Sequence, residues 1–158
     1  MSQSAEAMFG AGCFWGVEDD FRALPGVLDA AVGYAGGHTQ HPNYREVCSG
    51  QTGHAEVVYL TYDPDKISYT QLLEAFWAMH DPTTLNRQGP DVGTQYRSVI
   101  FTYTSEQAAQ AVAVKQQLEE AKRFSRPIVT EIVPSVVFYK AEEYHQQYNV
   151  KNGRSCHI

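Results

Sequence analysis

The residues of this 158-residue chain most able to do redox or nucleophilic chemistry are its three cysteines, Cys13, Cys48 and Cys156. A thiolate is the reactive form of cysteine, and an ordinary thiol titrating near about 8.5 is mostly protonated at neutral pH. Cys13 stands where that balance can shift. It follows Gly10-Ala11-Gly12 and opens a stretch to about Ala23 that reads as a helix stopped by Pro25-Gly26. Unpaired N–H groups in a helix's first turn favour an anion. The two glycines let the backbone turn tightly and leave the sulfur open to a substrate. Local context alone also allows a buried, inert thiol. The cysteines are odd in number and widely spaced, so neither a disulfide framework nor a zinc pattern is present.

Phe14 and Trp15 follow the thiol directly. They suit an apolar wall for a methyl or thioether group, or the buried face of an amphipathic helix. Glu56 lies in an apolar run, and strand alternation puts it on the side of Val58 and Leu60. Buried there, a carboxyl holds its proton more tightly and can serve as a general acid. At the exposed end of a sheet, near His54, it would stay solvated. Tyr44, Asp91 and Tyr96 lie in polar loops, where their hydroxyl and carboxyl groups can polarise a substrate oxygen or simply pack.

The elements that must position these groups follow from periodicity and punctuation. Strands are expected over 5–9, 27–34, 55–62, 99–103 and 129–133. Ser68 with Gln71 makes a capping box, and Tyr69, Leu72, Leu73, Phe76 and Trp77 fall on one helical face. Thr104 with Gln107 opens another helix, which places Ala111, Val114, Leu118 and Ala121 on one side. A last helix is expected over 141–149, then an irregular tail from about 150 to 158 that carries Cys156. Loops run from Gly36 to Gly53 and from Asp81 to Tyr96, and the second is long enough to suggest function. This order predicts one α+β domain over 1–158. It is a two-layer sandwich with a ferredoxin-like, split-βαβ core, a mixed sheet and additional loops.

Lys and Arg number 12 against 18 Asp and Glu, a net charge of −6 with no basic run, so a nucleic-acid surface is not expected. No apolar run approaches the length of a membrane span, and the N-terminus has no secretory pattern, so a cytoplasmic protein is expected.

Seven segments in order resemble the A-type peptide methionine sulfoxide reductases. They are Gly12-Cys-Phe-Trp-Gly16, Gly33-Tyr-Ala-Gly-Gly37, Tyr44-Arg-Glu-Val-Cys-Ser-Gly50, Thr52-Gly-His-Ala-Glu56, His80-Asp-Pro82, Gly93-Thr-Gln-Tyr-Arg-Ser98 and Tyr144-His-Gln-Gln-Tyr148. The resemblance covers nearly the whole chain. It implies that Cys13 attacks the sulfur of a methionine S-sulfoxide while Glu56 protonates the departing oxygen, directly or through water. It places Tyr44, Asp91 and Tyr96 around that oxygen and Phe14 and Trp15 around the substrate methyl. It further implies a sulfenic acid on Cys13, resolved by Cys156 as a disulfide that thioredoxin reduces, with no metal or organic cofactor. Some members carry two recycling cysteines in a longer tail. Here the sequence stops two residues after Cys156, so a single resolving cysteine is expected, and Cys48 is expected to be structural. Two other readings stand beside this one. The first is a cysteine hydrolase or acyltransferase with His54 or His145 as base, and the second is a module that binds methionine side chains in an aromatic pocket.

Overall fold

A computed structural model describes residues 4–152, without the side chains of Val150 and Asn152; Cys156 lies outside the described residues. The chain runs β1 (Ala5–Ala11), α1 (Phe14–Arg22), β2 (Val27–Ala35), α2 (Tyr44–Cys48), β3 (Ala55–Tyr62), α3 (Tyr69–Ala78), β4 (Arg87–Gln88) and β5 (Asp91–Val92). It continues through β6 (Ser98–Thr102), α4 (Ser105–Glu120), β7 (Glu131–Pro134), β8 (Tyr139–Lys140) and α5 (Tyr148–Asn152). The main sheet has the order β7-β6-β1-β3-β2-β8, and β4 pairs with β5 in a separate hairpin. Within it, β3 lies antiparallel between β1 and β2, and β1 lies antiparallel between β3 and β6. α1 therefore bridges β1 to β2 across β3, and α3 leads from β3 to β6 across β1. That is the expected split-βαβ core. The parallel β7 and antiparallel β8 extend it into a mixed sheet.

Central strands are covered on both faces, which is why Ala7, Met8 and Phe9 are all fully buried. On one face α1, α3 and α4 contribute Phe14, Phe21, Leu72, Phe76 and Val114 to the larger core. The ring of Phe9 stacks on Phe21 at 5.2 Å and on Phe76 at 5.1 Å, which locks α1 and α3 onto β1. Complete burial of one such side chain contributes roughly 1.5–3 kcal/mol. On the opposite face Met8, Val57, Val99 and Phe101 are covered by Tyr103, Val133 and Phe138.

The Ser68–Gln71 capping box forms in both directions, at 3.1 and 2.8 Å. At α4 Thr104 caps the Gln107 N–H, but the Gln107 amide turns to Tyr103 N–H and the Glu6 carbonyl, tying the helix to β1. Ala111 and Val114 are buried as expected, whereas Ala121 is the exposed C-cap. The strand expected over 129–133 pairs only from Glu131 to Pro134, because Val129 N–H goes to the Pro82 carbonyl at 2.8 Å.

The final helix expected over 141–149 does not form. A 3-10 turn, Glu143–His145, is followed by Gln147 at a left-handed φ of 52° and then α5. Tertiary hydrogen bonds outcompete the helix. The Gln146 amide takes Val32 N–H and gives to the Val32 and Ala141 carbonyls, and Gln147 N–H goes to the buried Glu18 carboxylate at 2.7 Å. Lys151 and Asn152 consequently belong to a helix rather than to an irregular tail. Among the described residues no helix is long and apolar enough to cross a membrane.

Candidate active site

Cys13 is the residue immediately before α1, half-buried, with φ −56° and ψ 117°. β1 delivers it through Gly12, whose φ of +100° and close approach to Gln88 exclude a side chain; an added Cβ would lie 2.8 Å from Gln88 Cγ. The first N–H of α1, that of Phe14, donates to Glu56 Oε1 at 3.2 Å. Glu56 therefore sits at the positive end of the helix, one residue along from the thiol. Its side chain is 1% exposed, on the helix-facing side of β3 with Val58 and Leu60, so the buried alternative holds.

Three phenols lie within electrostatic reach of this carboxyl. β2 pairs Tyr34 with Glu56 across the sheet. Tyr44 opens α2, whose start is held by a capping box: Asn43 Oδ1 accepts Glu46 N–H at 2.8 Å and Glu46 Oε1 accepts Asn43 N–H at 3.0 Å. Burial, with the nearby Glu56 charge, pushes the Tyr44 and Tyr96 hydroxyls well above the usual phenol range. They stay protonated and remain donors at neutral pH. Tyr96, in the 3-10 turn Thr94–Tyr96, also feels Cys13 and Asp91, and burial raises the Asp91 carboxyl. The loop from Asp81 to Tyr96 thus folds into a hairpin and a turn that put Tyr96 within electrostatic reach of Cys13, Glu56 and Asp91.

The two residues after Cys13 belong to an aromatic cluster. Phe14 stacks at 6.3 Å on Tyr44, and Trp15 packs at 6.1 Å on Tyr44 and at 3.8 Å, nearly parallel, on Tyr148. The Trp15 indole N–H donates to His145 Nδ1 at 3.0 Å. That bond requires Nδ1 to be unprotonated, so His145 carries its proton on Nε2. Burial lowers its pKa, against the pull of Glu142.

Neither histidine serves as a base for Cys13. His54 Nδ1 accepts Gly37 N–H at 3.0 Å and Nε2 donates to the Thr39 carbonyl at 2.8 Å, so both ring nitrogens are spent pinning a loop. His145 Nδ1 is taken by Trp15, and its Nε2 is buried with no hydrogen-bond partner. The hydrolase reading fails on this geometry.

The match to known proteins is equally specific. The family model for peptide methionine sulfoxide reductase matches residues 5–158. The chain is 61% identical to peptide methionine sulfoxide reductase MsrA of Methanoculleus marisnigri, over 93% of this chain and 90% of that protein. The chain belongs to the peptide methionine sulfoxide reductase family. In structure it resembles reduced Mxr1 of Saccharomyces cerevisiae, with a TM-score of 0.91, 37% identity, and coverage of 97% of this chain and 88% of that one. It also matches Mxr1 in complex with Trx2, at a TM-score of 0.67 and 27% identity over 92% and 85% of the two chains.

Several residues that shape the site escape a reading of the sequence. Glu142 accepts the Tyr34 hydroxyl at 2.9 Å and Tyr44 N–H at 3.0 Å, bridging β2 and α2. Burial works to raise its pKa, but these donors and His145 hold it below the usual carboxylate range. In sequence it is one of two adjacent glutamates ahead of the 144–148 motif and carries no distinguishing sign. Tyr34 is fully buried, and only the β2–β3 register brings it beside Glu56. Cys48 ends α2, exposed, with a side-chain hydrogen bond to Tyr44. Burial of its sulfur raises its pKa, partly offset by that bond, which disfavours a thiolate.

Proposed function

We propose that this reductase acts on the S epimer of methionine sulfoxide, free or within proteins, by a sulfenic acid route. The Cys13 thiolate attacks the sulfoxide sulfur while Glu56 gives its proton to the oxygen. The oxygen passes to Cys13 as a sulfenic acid and methionine leaves. One sulfur is reduced by two electrons and the other oxidised by two. The observation that carries this reading is the bond from Phe14 N–H to the buried Glu56 carboxyl, because it holds an acid next to the nucleophile. A sulfoxide oxygen leaves poorly until it is protonated, so a carboxylic acid at that point lowers the barrier. The raised Tyr44 and Tyr96 hydroxyls supply hydrogen bonds to the oxygen, with Asp91 beside Tyr96. Phe14 and Trp15 receive the methyl group, which distinguishes it from oxygen at the pyramidal sulfur and so selects one epimer.

Cys156 then condenses with the sulfenic acid to give a disulfide and water, and a thioredoxin reduces that disulfide. The yeast relative's complex with Trx2 supports a reductant of this class. Separated R and S epimers offered with thioredoxin should show turnover of the S form alone. Cys156→Ser should still release about one methionine per enzyme and then stop. Absence of S-epimer turnover refutes the substrate assignment, and sustained thioredoxin-driven turnover by Cys156→Ser moves the resolving role to Cys48.

A further inference from the structure

The loop that carries Asp91 and Tyr96 has little of its own to hold it in place. Its strands β4 and β5 are two residues each, and so short a hairpin is marginal in isolation. Leu85, Arg87, Gly89, Pro90 and Val92 are exposed. Among the described residues of the segment 83–94, Gln88 alone is buried, at 6% exposure. The deepest anchor of the hairpin is therefore a polar side chain, and it lies directly opposite Asp91 in the β4–β5 pair.

Gln88 grips a fixed point. Its Oε1 accepts Asp81 N–H at 2.9 Å and its Nε2 donates to the Asp81 carbonyl, so one amide satisfies both backbone groups of one residue. A side-chain amide is suited to this, because it carries an acceptor and a donor side by side. Both neighbours of Asp81 are tied to the core. His80 bonds the Phe76 carbonyl and the Ser98 hydroxyl, and the Pro82 carbonyl accepts Val129 N–H at 2.8 Å. The stem of Gln88 lies against Gly12, where an added Cβ would meet Gln88 Cγ at 2.8 Å. Gly12 precedes Cys13, so one side chain touches both the strand end that delivers the nucleophile and the turn after α3. Beyond Gln88 the hairpin is closed by Gly93 N–H on the Asn86 carbonyl at 2.9 Å. Tyr96 N–H then bonds the Gly93 carbonyl at 3.1 Å, which passes the placement of the hairpin on to Tyr96.

We infer that Gln88 is a positioning residue for the reduction step: it clamps the β4–β5 hairpin between Asp81 and Gly12 and so sets Asp91 and Tyr96 relative to Cys13. The inference rests on the proposed roles of Asp91 and Tyr96 at the substrate oxygen. Gln88 itself exchanges no proton with the substrate. Without its two bonds to Asp81 the hairpin loses its hold on the body of the protein. Cys13 keeps its place, because β1 is paired on both sides and α1 is packed into the larger core.

The test follows methionine release in a single turnover at saturating S-sulfoxide, without reductant. Gln88→Met keeps a stem against Gly12 and removes both bonds to Asp81. Release should slow about tenfold, the scale of the two bonds lost, and hydrogen exchange of the Gly93 and Tyr96 amides should quicken. In an Asp91→Asn, Tyr96→Phe background the same change should slow release by less than about twofold further, because the groups it displaces are already disabled. A disturbance of Cys13 would instead carry its full penalty into that background. Thr84→Val removes the hydroxyl that donates to the Arg87 carbonyl at 2.7 Å and leaves Gln88 in place. It should slow release about threefold by the same route, and it carries the test if Gln88→Met does not fold. Wild-type release by Gln88→Met overturns the inference, as does an undiminished loss in the Asp91→Asn, Tyr96→Phe background. An Asp91→Asn, Tyr96→Phe enzyme as fast as wild type refutes the roles of those two residues, and the inference falls with them. That result is read before Gln88 is changed, so the two failures are told apart.

Discussion

Glu56→Gln isolates the acid from the scaffold. Glutamine keeps an oxygen at the position that accepts Phe14 N–H at 3.2 Å, so the start of α1 and the placement of Cys13 should survive. The substitution is isosteric and keeps the Phe14 contact, so the stability change should stay near 1 kcal/mol, a Tm shift of about 2–4 °C. What is lost is the transferable proton. A positioned general acid contributes about 10²–10⁴ in rate, or roughly 2.7–5.4 kcal/mol of barrier. Rapid quenching of equimolar enzyme and S-sulfoxide at pH 7, without reductant, should show methionine release slowed by at least about 100-fold. Glu56→Asp should also be slow, because losing one methylene withdraws the carboxyl by about 1.5 Å and breaks the Phe14 contact. A Glu56→Gln rate within about threefold of wild type, with an unshifted Tm, would refute the acid role.

Two further outcomes follow from the site and its frame. His145→Phe keeps an aromatic ring but removes the acceptor for the Trp15 indole, so KM should rise by about fivefold, near 1 kcal/mol, with little change in kcat. In a Trp15→Phe background the same change should have almost no effect, and an equal penalty there breaks the link between the two residues. Stability should also fall in acid through His80. Trp77 N–H donates to the Thr130 hydroxyl, Thr130 to Ser98, Ser98 to His80 Nε2, and His80 Nδ1–H to the Phe76 carbonyl, so the neutral ring is built into a directed chain. Burial lowers its pKa to about 4 from 6.5, against the pull of the Phe76 carbonyl and Asp81. The unfolded chain therefore binds the extra proton first. This contribution is complete above about pH 6.5 and is lost as pH falls toward 4, up to about 3 kcal/mol in all. Urea unfolding of wild type and His80→Gln across that window should show a slope in the first that is weaker in the second, and parallel curves would assign the loss to other groups.

The parts legible in the sequence were those with local causes. Gly12-Cys13 before a helix, the Ser68–Gln71 box and the apolar alternation around Glu56 are written within a few residues of each other, and the structure keeps all three. The last helix is not legible in the sequence because its competitors are remote: Val32 and Glu18 draw Gln146 and Gln147 out of helical geometry from more than a hundred residues away. The same distance hides Glu142, which is made part of the site by Tyr34 and Tyr44. By itself the sequence named the candidate groups, a thiol at Cys13, a carboxyl at Glu56 and two aromatic rings at Phe14 and Trp15. Tertiary structure alone decided that the Glu56 carboxyl is buried at the start of α1. The antiparallel register of β3 against β2 brings Glu56 to Tyr34, and packing of α1 on that sheet turns the Phe14 N–H onto the Glu56 carboxyl. Neither event has a local cause, because strand pairing and helix docking are set by burial summed over the whole core.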